Sequence, residues 1–346
     1  MWLLDDSYCV QDALPFTRSL LSCSSFKRTP FRCYATPTSS TMKFICTITI
    51  FLVVASAKIL GFNLGQGKPD GSCKTLEDYV TDFNAIDEQY RVIKSFGIFD
   101  PCQGNSLSLL LDAAKKTKGK VLVGVWGDTS IFDKEKTALM DILGQPGVED
   151  HIVGVVVCSE CLYRTQFKGD NEITPAVLAA RISEVKNMVK NFQSKGISNI
   201  PVGCADTWNV LVDPQNVAVL KVVDTIFVNC FPYWEGLGIG SAPATFFDAI
   251  EQVKNSLHAV NPSASIAVGE TGWPTEGKPF GSSVPSLENS RAFWVNVFCK
   301  LRGMGMDAYW FEAFDEPMKV NTQNMGVESH WGTYDTDGKK KFELTC

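Results

Sequence analysis

Histidine is scarce, with three in 346 residues, at 151, 258 and 330. So few leave little material for a His-based catalytic triad or a His-rich metal site. His330 reads as a loop or packing residue. No Gly-x-Ser-x-Gly elbow occurs, which removes the main serine-hydrolase signal. No Gly-x-Gly-x-x-Gly turn follows the first apolar run, which counts against a dinucleotide-binding open sheet. Basic runs are missing too. The formal charge is −6 and becomes −8 once residues 1–57 are set aside, since those carry five Lys/Arg and three Asp/Glu. Such a surface repels polyanions, so no nucleic acid is expected, and a neutral substrate fits better. No metal cluster stands out, and no metal or cofactor is expected.

Long apolar runs are also lacking, with one exception. After Met42-Lys43 comes F-I-C-T-I-T-I-F-L-V-V-A, closed by Ala55-Ser56-Ala57. A basic start, a short apolar core and a small-x-small end form a secretory signal over 42–57. A membrane span needs about 20 apolar residues, so a transmembrane anchor is the weaker reading. Residues 1–41 carry no periodic pattern and read as an over-extended gene model, with a real extension as the alternative. Secretion into the extracellular space or cell wall would let cysteines oxidise. Of eight cysteines after residue 57, Cys73, Cys102, Cys299 and Cys346 are disulfide candidates, whereas Cys158, Cys204 and Cys230 sit in apolar runs and read as buried thiols. Cys158-x-x-Cys161 has redox or metal spacing but no second pair.

From residue 58 onward, short apolar runs alternate with helical patterns. The runs lie at 61–65, 90–94, 120–126, 151–160, 200–208, 225–234, 265–270 and 306–314. Several are continuous, as parallel strands buried on both faces are. Helix starts are marked by Thr75-Leu76-Glu77-Asp78, Thr174-Pro175 and Ser286, and Gly196 closes the second helix. Eight strands with intervening helices predict an α/β fold, a single-domain (β/α)8 TIM barrel over 58–346. A doubly wound open sheet is the competitor.

Chemistry in such barrels sits at the carboxyl ends of the strands. Carboxylates and tryptophans gather there: Trp126, Ser159-Glu160, Trp208, Tyr233-Trp234, Glu270 with Trp273, and Glu312 with Glu316. Flat amphipathic rings with acid groups between them suit a sugar chain. Glu160 and Glu270 each end a continuous apolar run, on the fourth and seventh strands. Two such carboxyls facing one bond are what glycoside hydrolysis needs, retaining at about 5–5.5 Å separation and inverting at about 6.5–9.5 Å.

From about 60 to 346 the chain resembles glycoside hydrolase family 17, the β-1,3-glucanases, and looks closest to the fungal cell-wall branch of glucanases and glucan transferases. The matching stretches are G-F-N-L-G followed by D-G-S-C-K (61–74), E-C-L-Y-R (160–164), W-N-V-L-V (208–212), G-E-T-G-W-P-T (269–275), F-E-A-F-D-E (311–316) and H-W-G (330–332). The resemblance implies a retaining mechanism, with Glu270 as nucleophile and Glu160 as acid/base. It also implies substrate roles for Glu316 and Lys319 in D-E-P-M-K, and Glu312 would bond a hydroxyl or the nucleophile. Trp126, Trp208, Tyr233, Trp234 and Trp273 would be sugar contacts. Ser159 departs from the pattern, since many related barrels place an Asn there to reach the sugar 2-hydroxyl. Cys158 and Cys161, flanking the same site, depart as well.

The expected protein is a secreted, monomeric β-1,3-glucan-active hydrolase or glucanosyltransferase, with endo or exo action left open. A non-catalytic glucan-binding wall protein on the same barrel is the rival. It has no need of two opposed glutamates. A barrel hydrolase for another β-glucan has the same acid pair.

Overall fold

The computed structural model describes residues 58–100, 104–169, 173–192, 197–319 and 325–346. The signal reading at 42–57, the segment 1–41 and Gly196 lie outside the described residues. Eight strands follow one another: β1 Leu60–Asn63, β2 Val92–Lys94, β3 Lys120–Val125, β4 Ile152–Ser159, β5 Val202–Thr207, β6 Thr225–Asn229, β7 Ser265–Thr271 and β8 Ala308–Trp310. Each pairs in parallel with the next, and β8 returns to β1 with Ala308 opposite Leu60. The (β/α)8 expectation is met. Closure leaves no exposed sheet edge, and both faces of every strand are covered.

The helices are α1 Leu76–Ala85, α2 Ser106–Thr117, α3 Phe132–Leu143, α4 Cys161–Phe167, α5 Pro175–Lys190, α6 Trp208–Leu211, α7 Val217–Leu220, α8 Ala242–Val260, α9 Leu287–Phe293 and α10 Cys299–Gly303. Their starts are capped where side chains can take an orphan N–H. Thr75 and Asp78 form a reciprocal capping box on α1. Thr174 accepts from Val177 on α5, and Ser286 accepts from Asn289 on α9. The apolar stripes then face the barrel. Tyr79 and Phe83 of α1 are buried, as are Leu178, Ile182, Val185 and Val189 of α5. Between α9 and α10, Trp294–Phe298 makes a π-helical turn, so Phe293, Val297 and Leu301 all reach the core.

Inside the barrel a small plug takes one residue from each of six strands: Leu122, Val156, Ala205, Phe227, Ala267 and Tyr309. Alanine on β5 and β7 leaves room for the large rings on β6 and β8. The plug closes the interior, and the polar cluster described below lies at the carboxyl end. There the ladder slips out of register, between Val156 and Ser159, between Val228 and Asn229, and between Val268 and Thr271. Register slips re-aim side chains, and each of these three is in a pairing made by β4 or β7, the strands that lead to Glu160 and Glu270.

Among the described residues no helix is long and apolar enough to cross a membrane. Cys299 is bonded to Cys346, and Cys73 is disulfide-bonded too, while Cys102 lies outside the described residues. Cys204 and Cys230 are buried thiols as expected. Cys158 is not. It is bonded to Cys161, because β4 does not run straight through it: its φ of 69° turns the sulfur back over the start of α4.

Candidate active site

Glu160 and Glu270 meet in one polar cluster at the mouth of the barrel. Ser159 Oγ donates to Glu270 Oε1 at 3.1 Å. Asn229 Nδ2, from the end of β6, donates to Glu160 Oε1 at 3.0 Å and lies 3.5 Å from Ser159 Oγ. A short polar chain thus runs from one carboxyl to the other. Gly269 makes room for it, since a Cβ there would sit 2.7 Å from Asn229 Oδ1. Ser159 therefore bonds the nucleophile candidate itself, and the amide beside the acid/base candidate comes from β6 instead.

The two carboxyls live in different surroundings. Glu270 is buried and ion-pairs with Lys94 Nζ at 2.8 Å. Lys94 ends β2, is 1 % exposed, and is fixed by Asn63 Oδ1 at 3.0 Å. Asn63 in turn donates to the Gly269 carbonyl at 3.1 Å, tying β1 to β7. Glu160 is half-buried, and burial first, then the charge of Glu270, push its carboxyl up to about 7; Asn229, Arg164 and Lys94 oppose the rise. A carboxylate locked to an ammonium faces a carboxyl that keeps its proton near neutral pH.

Glu160 stands just before α4 in the left-handed region, at φ 57°, and makes no cap bond to its own helix. The cap is supplied from outside. Asp206, at the end of β5 and wholly buried, accepts from Leu162 N at 2.8 Å and Tyr163 N at 3.3 Å. Burial and the neighbouring Glu160 raise Asp206 to about 7, against the pull of those N–H groups. A borrowed cap leaves the Glu160 carboxyl free for chemistry.

The aromatic expectations divide. Trp126, Trp208 and Trp234 are half-buried around the mouth. Trp126 bonds Asp128 through Nε1 at 2.8 Å and has Arg164 4.8 Å from its ring centre, while Glu135 of α3 accepts its backbone N–H at 2.8 Å. Trp208 Nε1 donates to Glu235 at 3.2 Å. Trp273 and Tyr233 are corrections, because both are 0 % exposed and have no ring face for a sugar. Trp273 packs edge-on against Tyr233 at 5.4 Å, lies 5.7 Å from Phe293, and donates to the Val284 carbonyl. The Tyr233 hydroxyl donates to the Lys278 carbonyl at 2.9 Å. Gly272 causes the inward turn, since a Cβ there would collide with the Phe311 carbonyl. The strand end passes directly beneath β8, and the next ring falls inside.

Beyond β8, a cis peptide joins Phe311 to Glu312. Lys319 Nζ reaches both Glu312 oxygens at 2.6 Å, Glu316 at 3.3 Å, and the Phe311 ring at 4.3 Å. Burial pulls the ammonium down, but Glu312 and Glu316 outweigh it and raise it, so Lys319 stays charged. It is no solvated lysine. Glu312 is 1 % exposed, and neither it nor Glu316 bonds Glu270.

Four polar residues at this mouth escaped the sequence reading: Asn63, Lys94, Asp206 as a cap, and Asn229. Lys94 ends its apolar run as Glu160 and Glu270 do, whereas Asn63, Asp206 and Asn229 lie within theirs, because β1, β5 and β6 stop short of the runs that mark them. The run-end rule, applied to all polar side chains, finds Lys94 alone.

Comparison with known proteins gives the same picture. The BtgE/BtgC glycoside hydrolase domain model matches residues 61–332. A glucan 1,3-beta-glucosidase of Candida albicans is 35% identical over 313 residues, covering 88% of this chain and 98% of that protein. One from Saccharomyces cerevisiae is 36% identical, covering 89% and 98%. The crystal structure of a glycoside hydrolase family 17 beta-1,3-glucanosyltransferase from Rhizomucor miehei superposes with a TM-score of 0.70 at 30% identity, covering 83% of this chain and 98% of that one. An active-site mutant of that enzyme, solved with laminaritriose, gives 0.69 at 29% identity, with the same coverage. With matches over nearly the whole barrel, the chain belongs to the fungal glucan 1,3-beta-glucosidase family, within glycoside hydrolase family 17.

Proposed function

We propose that this protein is a retaining β-1,3-glucan hydrolase and glucanosyltransferase, in which Glu160 is the acid/base and Glu270 the nucleophile. The observation that carries the assignment is the electrostatic division of the pair: Lys94 compensates the charge of Glu270, while Glu160 is raised to about 7. Glu160 donates its proton to the departing glycosidic oxygen as Glu270 bonds the anomeric carbon. Glu160 then takes a proton from the acceptor, and Glu270 is released. Water as acceptor gives hydrolysis; a second glucan gives transfer. Trp126, Trp208 and Trp234 are the ring contacts in this reading, and Ser159, Glu312, Glu316 and Lys319 are the polar ones. The rival wall-binding protein would not need a proton-holding carboxyl opposite an ion-paired one.

The apolar leader at 42–57 and the barrel's disulfides support export to the cell surface or wall. A neutral glucan suits the acidic chain.

A defined laminari-oligosaccharide tests the assignment. Products longer than the input should appear beside shorter ones, and their share should rise with substrate concentration, because glucan and water compete for one intermediate. Glu270→Gln should abolish both by at least about 1,000-fold. Glu160→Ala should lose oligosaccharide turnover and regain glycosyl transfer to added azide. Wild-type turnover in either variant overturns the roles.

A further inference from the structure

Residues 158–161 read C-S-E-C, with the acid/base between two bonded sulfurs. Cys158 and Glu160 both adopt the left-handed region, at φ 69° and 57°. For residues with a Cβ that conformation is strained, so the surroundings must enforce it. The bond lies inside the site. Both cysteines are 1 % exposed, and a Cβ on Gly127 would collide with Cys158 Sγ and lie 3.4 Å from Cys161 Sγ. The bare Gly127 thus lets the loop after β3 close over the sulfurs. Arg164 joins the parts, lying 3.3 Å from Cys161 Sγ, 4.0 Å from Cys158 Sγ, 2.7 Å from the Ser159 carbonyl and 3.2 Å from Asp128. It also lies over the Trp126 ring. Sulfur bridge, acid/base turn and Trp126 loop are one packed unit.

We propose that the Cys158–Cys161 disulfide is a covalent brace that holds Glu160 in its catalytic orientation, so that opening it with a thiol reductant lowers activity. The inference rests on the reading of Glu160 as acid/base. In the opening step a reductant thiolate attacks one sulfur and the S–S bond breaks. A second reductant thiol then resolves the mixed disulfide. The pair gains two electrons and two protons, and the reductant leaves as its own disulfide. Two thiol sulfurs cannot remain at the bonded distance of about 2.05 Å. In a close-packed interior the added separation moves the turn that carries Glu160. A displacement of about 1 Å at a catalytic group costs about 100-fold.

The test compares wild type with Cys158→Ser/Cys161→Ser on two substrates. Laminari-oligosaccharides need a proton on the leaving oxygen; a dinitrophenyl β-glycoside does not. The brace predicts that kcat on the oligosaccharide falls about 10- to 100-fold with KM little changed, while the formation of the glycosyl-enzyme from the dinitrophenyl substrate stays within about twofold. Dithiothreitol should reproduce the loss in wild type, in step with alkylation of Cys158 and Cys161 by peptide mapping and with unchanged circular dichroism. It should leave the variant's kcat within about twofold, although it also opens Cys299–Cys346. This reduction arm decides the matter if the variant does not fold. Equal losses on both substrates, an unimpaired variant, or full activity in alkylated wild type overturn the brace. Glu160→Ala, measured alongside, reports on the acid/base reading separately.

Discussion

At Glu160 the ordinary carboxyl value of 4.5 gives way to about 7, and that displacement sets a pH profile. In the proposed role of general acid, Glu160 works only while protonated. The rate of glycosyl-enzyme formation should therefore be level up to about pH 7 and then fall tenfold per unit. Asn229 donates to the carboxylate at 3.0 Å and so favours the ionised form. Asn229→Ala should move the falling limb to higher pH, by roughly one unit, in kcat/KM profiles on laminari-oligosaccharides. A shift to lower pH would mean that Asn229 does not act on Glu160. Stability follows the same proton. The folded state holds it between pH 4.5 and about 7 where the unfolded chain does not. The resulting contribution is full below 4.5 and is lost as pH rises through about 7. Glu160→Gln should unfold at a higher temperature than wild type above pH 7, by at most about 3 kcal/mol in stability, with the difference closing in acid.

Elements set the frame in which that titration happens, and α4 shows how. A helix needs its first N–H groups satisfied, and the residue best placed to do so on α4 is Glu160 itself. Asp206 takes over the duty from β5, bonding Leu162 N and Tyr163 N. Asp206→Ala should cost about 1–2 kcal/mol in chemical denaturation, as a lost cap does. It should also lower kcat more than KM, because the unsecured turn carries the proposed acid. A variant with reduced stability and intact kcat would separate capping from positioning. Much at this level is legible in the sequence. Short apolar runs, several of them continuous, mark all eight strands, and Thr75, Thr174 and Ser286 mark helix starts, because burial and capping act locally. Glu160 and Glu270 are legible as carboxylates ending such runs. Trp273 is not, because its burial depends on the contact between Gly272 and the Phe311 carbonyl, a long-range approach with no local signature. Cys158 misleads for a similar reason. Its neighbours suggest a straight strand, while its actual turn follows from the register slip against β5. The pairing of Lys94 with Glu270 spans 176 residues, and only barrel closure brings the two together.

Over the whole molecule the barrel is fastened by residues 340–346. Lys340 ion-pairs with Asp87 at 2.7 Å and Lys341 with Asp315 at 2.8 Å, while the Tyr90 hydroxyl donates to the Leu344 carbonyl at 2.7 Å. Cys346 is then bonded to Cys299 at the start of α10, closing a sequence separation of 47. These contacts span the neighbourhoods of β2, β8 and α10, so the segment draws together the two ends of the strand order. The two mapped disulfides therefore differ in kind. A loop closed over 3 residues removes little chain entropy, and its effect is local geometry; one closed over 47 acts chiefly on the unfolded chain. On the chain-entropy account the longer loop contributes about 4 kcal/mol. Cys299→Ser/Cys346→Ser should lower the thermal midpoint by roughly 10 °C. Its kcat on laminari-oligosaccharides at 25 °C should stay within about twofold of wild type, because the Lys341–Asp315 pair and the Tyr90 bond still seat the segment. Scanning calorimetry and kinetics on the same preparation check both halves. A large loss of kcat in the folded variant would place the segment within the catalytic apparatus, and an unchanged midpoint would show that the polar contacts alone hold it.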